Sequence, residues 1–373
     1  MSEFLPAGKK KILVLANYDV GLYKFRKALL EELIRQGAEV YISLPYGEYV
    51  PQLEALGCQF LETSVDRRGM NPLRDIRLYR QYGRILKELK PDLVITYTIK
   101  PNIYGGFACR MAKIPYAVNI TGLGSAIEGG GMLRRLVFTM YRTGLKKAKA
   151  VFFENTGNRD ILVHAGVVKQ ENTCVLHGAG INTEEYPLLP YPVEKPVRFL
   201  FVGRIMKEKG VDELFAAMSR LKNEYGDDVV LDVVGMFEES RQQRISELAE
   251  AGIIRFHGYQ ADVKPFYEMA HCAVLPSYHE GMSNVLLEAA SCGRPIITSR
   301  IHGCMEAVDE GMSGYLCEVK DPQTLYEAMK RFYELPYEEK KKMGLAGRKR
   351  MEDLFDKKQV VKETMDRLFD GIQ

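Results

Sequence analysis

The stretch CAVLPSYHEGMSNVLLEAASCGRPIITS, residues 272–299, decides the fold. CAVLP is a short continuous apolar run and reads as a strand buried on both faces. A helix over 284–292 follows, with Ser283 or Asn284 at its start as a natural N-cap. PIITS is a second buried strand. Strand, helix and strand in that order form a βαβ unit, which requires a parallel sheet covered by helices.

Working outward, the same alternation fills the chain. Upstream in the second half lie the strand RFLFVGR, the helix VDELFAAMSRLKNEY, the strand VVLDVVG, the helix SRQQRISELAEAG, the strand IIRFHG and the short helix VKPFYEMAH. The first half opens on the strand KKILVLANY and a helix over 22–36 that ends at Gly37. AEVYISLP, a helix over 51–56, CQFLETSV, a helix over 73–89, PDLVITYT, a helix over 103–112 and PYAVNIT continue the series. Between the halves, EEYPLLPYPVEKP at 184–196 carries four prolines and reads as a linker. A chain of 373 residues suits two such α/β domains. Residues 339–371 read as helical and highly charged.

Composition excludes several classes. No stretch approaches the roughly 20 apolar residues needed to span a bilayer, and the N-terminus lacks the cleavage site of a signal peptide. Seven scattered cysteines without a CxxC pair argue for reduced thiols in the cytosol, and against a disulfide framework or zinc site. The net charge of +3 hides an asymmetry: residues 1–190 hold 26 basic and 18 acidic side chains, and 67–149 hold 17 against 4. That basic half implies an anionic partner such as a lipid surface, a diphosphate-bearing acceptor or nucleic acid.

Two segments carry the chemistry. In the opening stretch, Glu280 and Gly281 lie on the loop before the helix and Glu288 lies on its second turn. Gly281 permits close approach of a ligand, and the helix start favours an anion such as diphosphate. The two carboxylates, eight residues apart, reach different parts of one ligand and do not form a tight acid–base dyad; alternatively they are surface glutamates of an amphipathic helix. FVGRIMKEKG, residues 201–210, sets Arg204 and Lys209 directly after the first strand of the second domain, at the sheet edge where ligands of open α/β folds bind. Two cations there neutralise a leaving diphosphate, and Arg204 offers bidentate contacts. A polar loop before a helix is the plainer reading of either segment alone; both on one edge of one sheet favour the ligand.

The combination GRIMKEKG, DVVGM, HGYQADV and LPSYHEGMSNVLLEAASCGRPII resembles the retaining GT-B glycosyltransferases of family 4, over essentially the whole chain. The resemblance implies two Rossmann-like domains facing across a cleft. These are an acceptor-binding domain at 1–188 and a nucleotide-sugar-binding domain at 189–354, followed by a C-terminal helix at 355–373 that returns to the first. It implies that Arg204 and Lys209 hold the donor diphosphate, that Glu288 holds the nucleotide ribose and that Glu280 faces the transferred sugar. Gly281, Met282, Ser283 and Asn284 would grip sugar hydroxyls and phosphate, with Gly203 and Gly235 beside the donor and Gly258 and Tyr259 against the base. In the first half, ANYDVGLYKFRKALL, SVDRRGMNPLRD, TYTIKPNIYGGFACRMAKIPYAVNITGLGS and VFFENTGNRD are similar to the subgroup that extends polyprenyl-diphosphate-linked saccharides with GalNAc, GlcNAc or galactose from a UDP-sugar. Asn17, Gly21 and Lys24 would then face the cleft. Arg67, Arg68, Lys100 and Asn102 become candidates for the acceptor's diphosphate or first sugar, or are exposed charges.

One departure stands out. Where many members carry a histidine after the strand PYAVNIT, this chain reads Asn119-Ile120-Thr121-Gly122. Thr121 can hydrogen-bond a sugar but cannot do imidazole's acid–base work. Catalysis is therefore expected to be electrostatic, with no metal or other cofactor. MLRRLVFTMYRTGLKKAKA, 132–150, reads either as a basic amphipathic helix at an anionic membrane surface or as a core helix with solvated charges. The expected setting is the inner face of the plasma membrane, with no nucleic-acid partner. A soluble acceptor, or a GT-B nucleotide-sugar epimerase, is the alternative.

Overall fold

A computed structural model describes residues 10–66, 71–124, 131–193, 195–238 and 241–370. The chain divides into two compact units, one of residues 1–180 with 357–373 and the other of 181–356. Among the described residues the first unit holds a seven-stranded parallel sheet. Its strands are β1 (Lys11–Leu15), β2 (Glu39–Leu44), β3 (Gln59–Glu62), β4 (Leu93–Tyr97), β5 (Tyr116–Ile120), β6 (Ala150–Phe153) and β7 (Thr173–Val175), in the spatial order β3-β2-β1-β4-β5-β6-β7. The second unit holds β8 (Val197–Val202), β9 (Val229–Val234), β10 (Ile254–Phe256), β11 (Cys272–Leu275), β12 (Ile296–Ser299) and β13 (Gly314–Cys317), ordered β10-β9-β8-β11-β12-β13. Each is a Rossmann-like sheet whose order reverses once, between β1 and β4 and between β8 and β11; ligands of such sheets bind beyond the strand ends at that switch point.

The central strands explain the parallel choice. β9 is buried at every position and β8 at most of them, so both read as mainly apolar runs instead of alternating ones, broken by Arg198 and Asp232, which pair with each other at 2.9 Å. Helix Val211–Tyr225 packs Leu214, Phe215, Met218 and Leu221 onto the same core. In the first unit, helix Asp19–Arg35 covers one face with Leu22, Leu29, Leu30 and Leu33.

The division of the chain differs from the expected one. The proline-rich stretch is not a free linker, and the units part at residue 180 instead of 188. Its backbone is taken up by the second unit: Leu189 N–H donates to the Cys292 carbonyl at 3.3 Å and Arg294 donates to the Pro190 carbonyl at 2.7 Å. The charged C-terminal region is two helices, Tyr337–Leu354 in the second unit and Lys357–Phe369 in the first. The latter buries Val360, Met365, Leu368 and Phe369 in the first unit's core. Among the described residues, no helix is long and apolar enough to cross a membrane.

Candidate functional site

In the second unit the loops after β8 and β11 flank the switch point and are tied together. Tyr278 N–H donates to the Glu208 carbonyl at 2.8 Å, and the Tyr278 hydroxyl donates to Glu213 at 2.7 Å. Gly210 turns the β8 loop with φ +68°, and a Cβ there would lie 2.0 Å from the Pro276 carbonyl oxygen, so only glycine permits the approach. The result is one ion pair. Lys209 Nζ lies 2.5 Å from Glu280 Oε1, and the Ser277 hydroxyl donates to the same oxygen at 2.8 Å. Both charged side chains are largely buried, at 18% and 13% exposure, which shields the pair from solvent screening.

Arg204 is half-exposed and lies 3.4 Å from Glu238. Gly203 N–H donates to the Val234 carbonyl at 3.0 Å and Gly235 N–H to the Gly258 carbonyl at 2.8 Å, which sets these three glycines in a row beyond β8, β9 and β10. Tyr259 beside them is exposed. Met282 and Ser283 are buried, and Asn284 opens the helix Asn284–Ser291. Ser283 holds the N-cap position, but its side chain makes no cap bond; its backbone N–H donates to the Gly303 carbonyl at 2.9 Å. Gly281 is half-buried, and its carbonyl oxygen would stand 2.6 Å from a Cβ at Gly303. Glu288 accepts from the Tyr267 hydroxyl at 2.9 Å, whereas Glu280 accepts from Lys209 and Ser277.

The first unit treats its predicted residues unevenly. Asn17 and Thr121 are half-buried at the carboxyl ends of β1 and β5, Gly21 lies on the first helical turn and Lys24 is exposed with its ammonium 5.9 Å from the Tyr49 ring. Asn102 is not available to an acceptor. It is 1% exposed, accepts from the Thr96 hydroxyl at 2.7 Å and donates to the Asn119 carbonyl at 2.8 Å, bracing β4 against β5. Lys100 is a paired charge, 2.8 Å from the Asp75 carboxylate that Tyr104 also holds at 2.9 Å. Arg67 and Arg68 lie outside the described residues.

Several residues at the strand ends were not singled out by sequence reading. Arg26 pairs with Glu154 and stacks 5.1 Å above the Tyr97 ring at the ends of β4 and β6. Thr98, just past β4, adopts φ +72°, a conformation rare for a β-branched residue and found where structure enforces strain. Ser277 was open to view, because it immediately follows the strand CAVLP; Gly303 had no comparable signal.

Residues 191–350 match the family model of Glycosyl transferases group 1, and residues 11–155 match that of Glycosyl transferase 4-like. The N,N'-diacetylbacillosaminyl-diphospho-undecaprenol alpha-1,3-N-acetylgalactosaminyltransferase of Campylobacter jejuni is 26% identical over 381 residues, covering 97% of this chain and 99% of its own. The capsular polysaccharide biosynthesis glycosyltransferase CapM of Staphylococcus aureus is 24% identical, covering 79% of this chain and 82% of its own. Among solved structures, Anabaena HepE in complex with UDP and glucose superposes with a TM-score of 0.78 at 18% identity, over 96% of this chain and 99% of HepE. A glycosyltransferase from Rickettsia africae gives 0.78 at 17% identity, over 98% and 100%. With both halves matched in this order on two Rossmann-like units, the chain belongs to the GT-B glycosyltransferases, 4-like in its N-terminal half and group 1 in its C-terminal half.

Proposed function

We propose that this enzyme moves GalNAc, GlcNAc or galactose from a UDP-sugar to a polyprenyl-diphosphate-linked saccharide, with retention at the anomeric carbon and no metal in the chemistry. The Lys209–Glu280 pair at the switch point of the second sheet carries the reading. Lys209 and Arg204 would meet the donor diphosphate, and their charge would stabilise the nucleoside diphosphate as it leaves. Glu280 holds Lys209 in place and presents a carboxylate to the sugar hydroxyls, while the helix start at Asn284 adds its dipole. For the acceptor, a relative that matches across both chains acts on a diphospho-undecaprenol-linked sugar, and the basic N-terminal half suits such a diphosphate.

We place the enzyme at the inner face of the plasma membrane. Helix Gly131–Leu145 supports this reading: its later half buries Val137, Tyr141 and Leu145, while Met132, Leu133 and Leu136 stay exposed beside Arg134 and Arg135. The helix therefore has a core-facing part and a lipid-suited part.

The reaction is tested by release of UDP from a panel of UDP-sugars, with and without a polyprenyl-diphosphate-linked saccharide, for wild type, Glu280→Gln and Arg204→Ala. Acceptor-dependent release that both substitutions abolish is the expected outcome. Turnover confined to a soluble acceptor would overturn the lipid assignment, and sugar interconversion without acceptor would make the protein an epimerase.

A further inference from the structure

Glu288 stands among aromatic hydroxyls that no ligand motif contains. Tyr267, fully buried on the helix Lys264–Met269, donates its hydroxyl to Glu288 Oε2 at 2.9 Å. Tyr186 comes from the proline-rich segment, and its ring meets that of Tyr267 edge-on, with centroids 6.4 Å apart. Burial raises the Tyr186 phenol well above its ordinary range, and the nearby charge of Glu288 raises it further. The same two causes, burial first, raise Tyr267.

The segment bearing Tyr186 is fastened to the helix that bears Glu288. The Tyr186 carbonyl accepts from the Ser291 hydroxyl at 2.6 Å and from the Arg348 guanidinium at 2.9 Å. Asn182 folds the chain ahead of it, its side chain accepting from Glu184 N–H at 3.0 Å and its carbonyl accepting from Tyr186 N–H at 3.0 Å. Four separate bonds thus fix where this residue stands. A carboxylate offers about four lone-pair sites, so the Tyr267 donor, with the Tyr186 ring packed edge-on against its own ring, restrains the carboxylate plane without exhausting it.

We infer that Tyr186 and Tyr267 are positioning residues that hold the Glu288 carboxylate for the 2′- and 3′-hydroxyls of the donor ribose. The inference rests on the reading above that Glu288 takes the ribose. A carboxylate locked in one plane meets a cis-diol with both oxygens aligned, whereas a freely rotating one loses entropy on doing so. The proline-rich stretch is then part of the donor site, and Tyr186 is a determinant of ribose over deoxyribose.

The test is calorimetric binding of UDP and 2′-deoxy-UDP to wild type, Glu288→Gln, Tyr186→Phe and Tyr267→Phe, with thermal unfolding as the check on folding. Wild type should prefer UDP, Glu288→Gln should erase the preference, and each phenylalanine variant should cut it by roughly threefold to tenfold, the size of one hydrogen bond. Should Tyr267→Phe fail to fold, Tyr186→Phe decides alone. If Glu288→Gln erases the preference while the phenylalanine variants keep it, or weaken both nucleotides equally, the positioning role is wrong and the ribose reading stands. If wild type shows no preference between the nucleotides, or Glu288→Gln keeps the wild-type preference, the ribose reading falls and the inference with it.

Discussion

Lys209 and Glu280, separated by 71 positions in sequence, meet at 2.5 Å because β8 and β11 are neighbours at the switch point of the second sheet. Neither residue occupies its place independently. Removing the lysine leaves Glu280 with the Ser277 hydroxyl, and neutralising Glu280 leaves Lys209 without its restraint.

The pair should therefore behave as one unit. Lys209→Ala and Glu280→Gln are each expected to lower kcat by about 10²- to 10³-fold, the usual cost of losing a preorganised electrostatic contact. The double variant should lose far less than the product of the two. Steady-state kinetics on the three variants measures the coupling, and fully multiplicative losses would show that the contact has no part in catalysis.

Backbone proximity at the same place gives a second prediction. Gly210 and Gly252 share a left-handed φ, +68° and +66°, but a Cβ at Gly252 meets open space while one at Gly210 meets the Pro276 carbonyl at 2.0 Å. Alanine at 252 should cost about 1–2 kcal/mol from conformation alone. Alanine at 210 adds a steric clash, so it should unfold at lower denaturant and lose UDP affinity as the β8 turn moves off the β11 loop. Chemical denaturation and UDP titration of both variants separate the two effects. Equal losses would mean that the close approach has no bearing on the donor site.

How much of this was legible in the sequence depends on the range of the force involved. Parallel strands buried on both faces leave mainly apolar runs such as FLFV and VVLDVV, the latter broken by Asp232, which Arg198 pairs, so the βαβ succession could be read directly. Arg204, Lys209 and Glu280 were legible because residues immediately after such strands fall at the ligand-binding edge. Asn102 was not, since a polar residue after a proline looks exposed, and only the side-chain bonds to Thr96 and Asn119 show it bracing the sheet. Lys100 looked like a free cation until Asp75, 25 positions away, was placed beside it. Tyr186 was hidden most completely, because four prolines give the local signature of a linker while Ser291 and Arg348 supply the tertiary bonds that anchor it.

The last prediction concerns the helix Gly131–Leu145. Met132 is 87% exposed, and Leu133 and Leu136 also face solvent, close to Arg135, which is exposed, and to Arg134, which stacks 5.1 Å above the Phe138 ring. Further along, Lys146 and Lys147 are exposed too, whereas Arg142 donates to the Ala165 and Gly166 carbonyls and so is committed to the fold. Each basic side chain near an anionic bilayer contributes on the order of 1 kcal/mol, and inserted apolar side chains add to that. Vesicles of phosphatidylglycerol should therefore sediment the protein, and vesicles of phosphatidylcholine should not. Met132→Asp with Leu136→Asp should release it at any salt concentration, whereas Arg134→Gln with Arg135→Gln should weaken binding about tenfold and flatten its salt dependence. None of these side chains belongs to the buried set of the helix, so unfolding temperature should stay within a few degrees. Sedimentation unchanged by both double variants would place membrane contact elsewhere in the basic half and leave this helix with only its core-packing role.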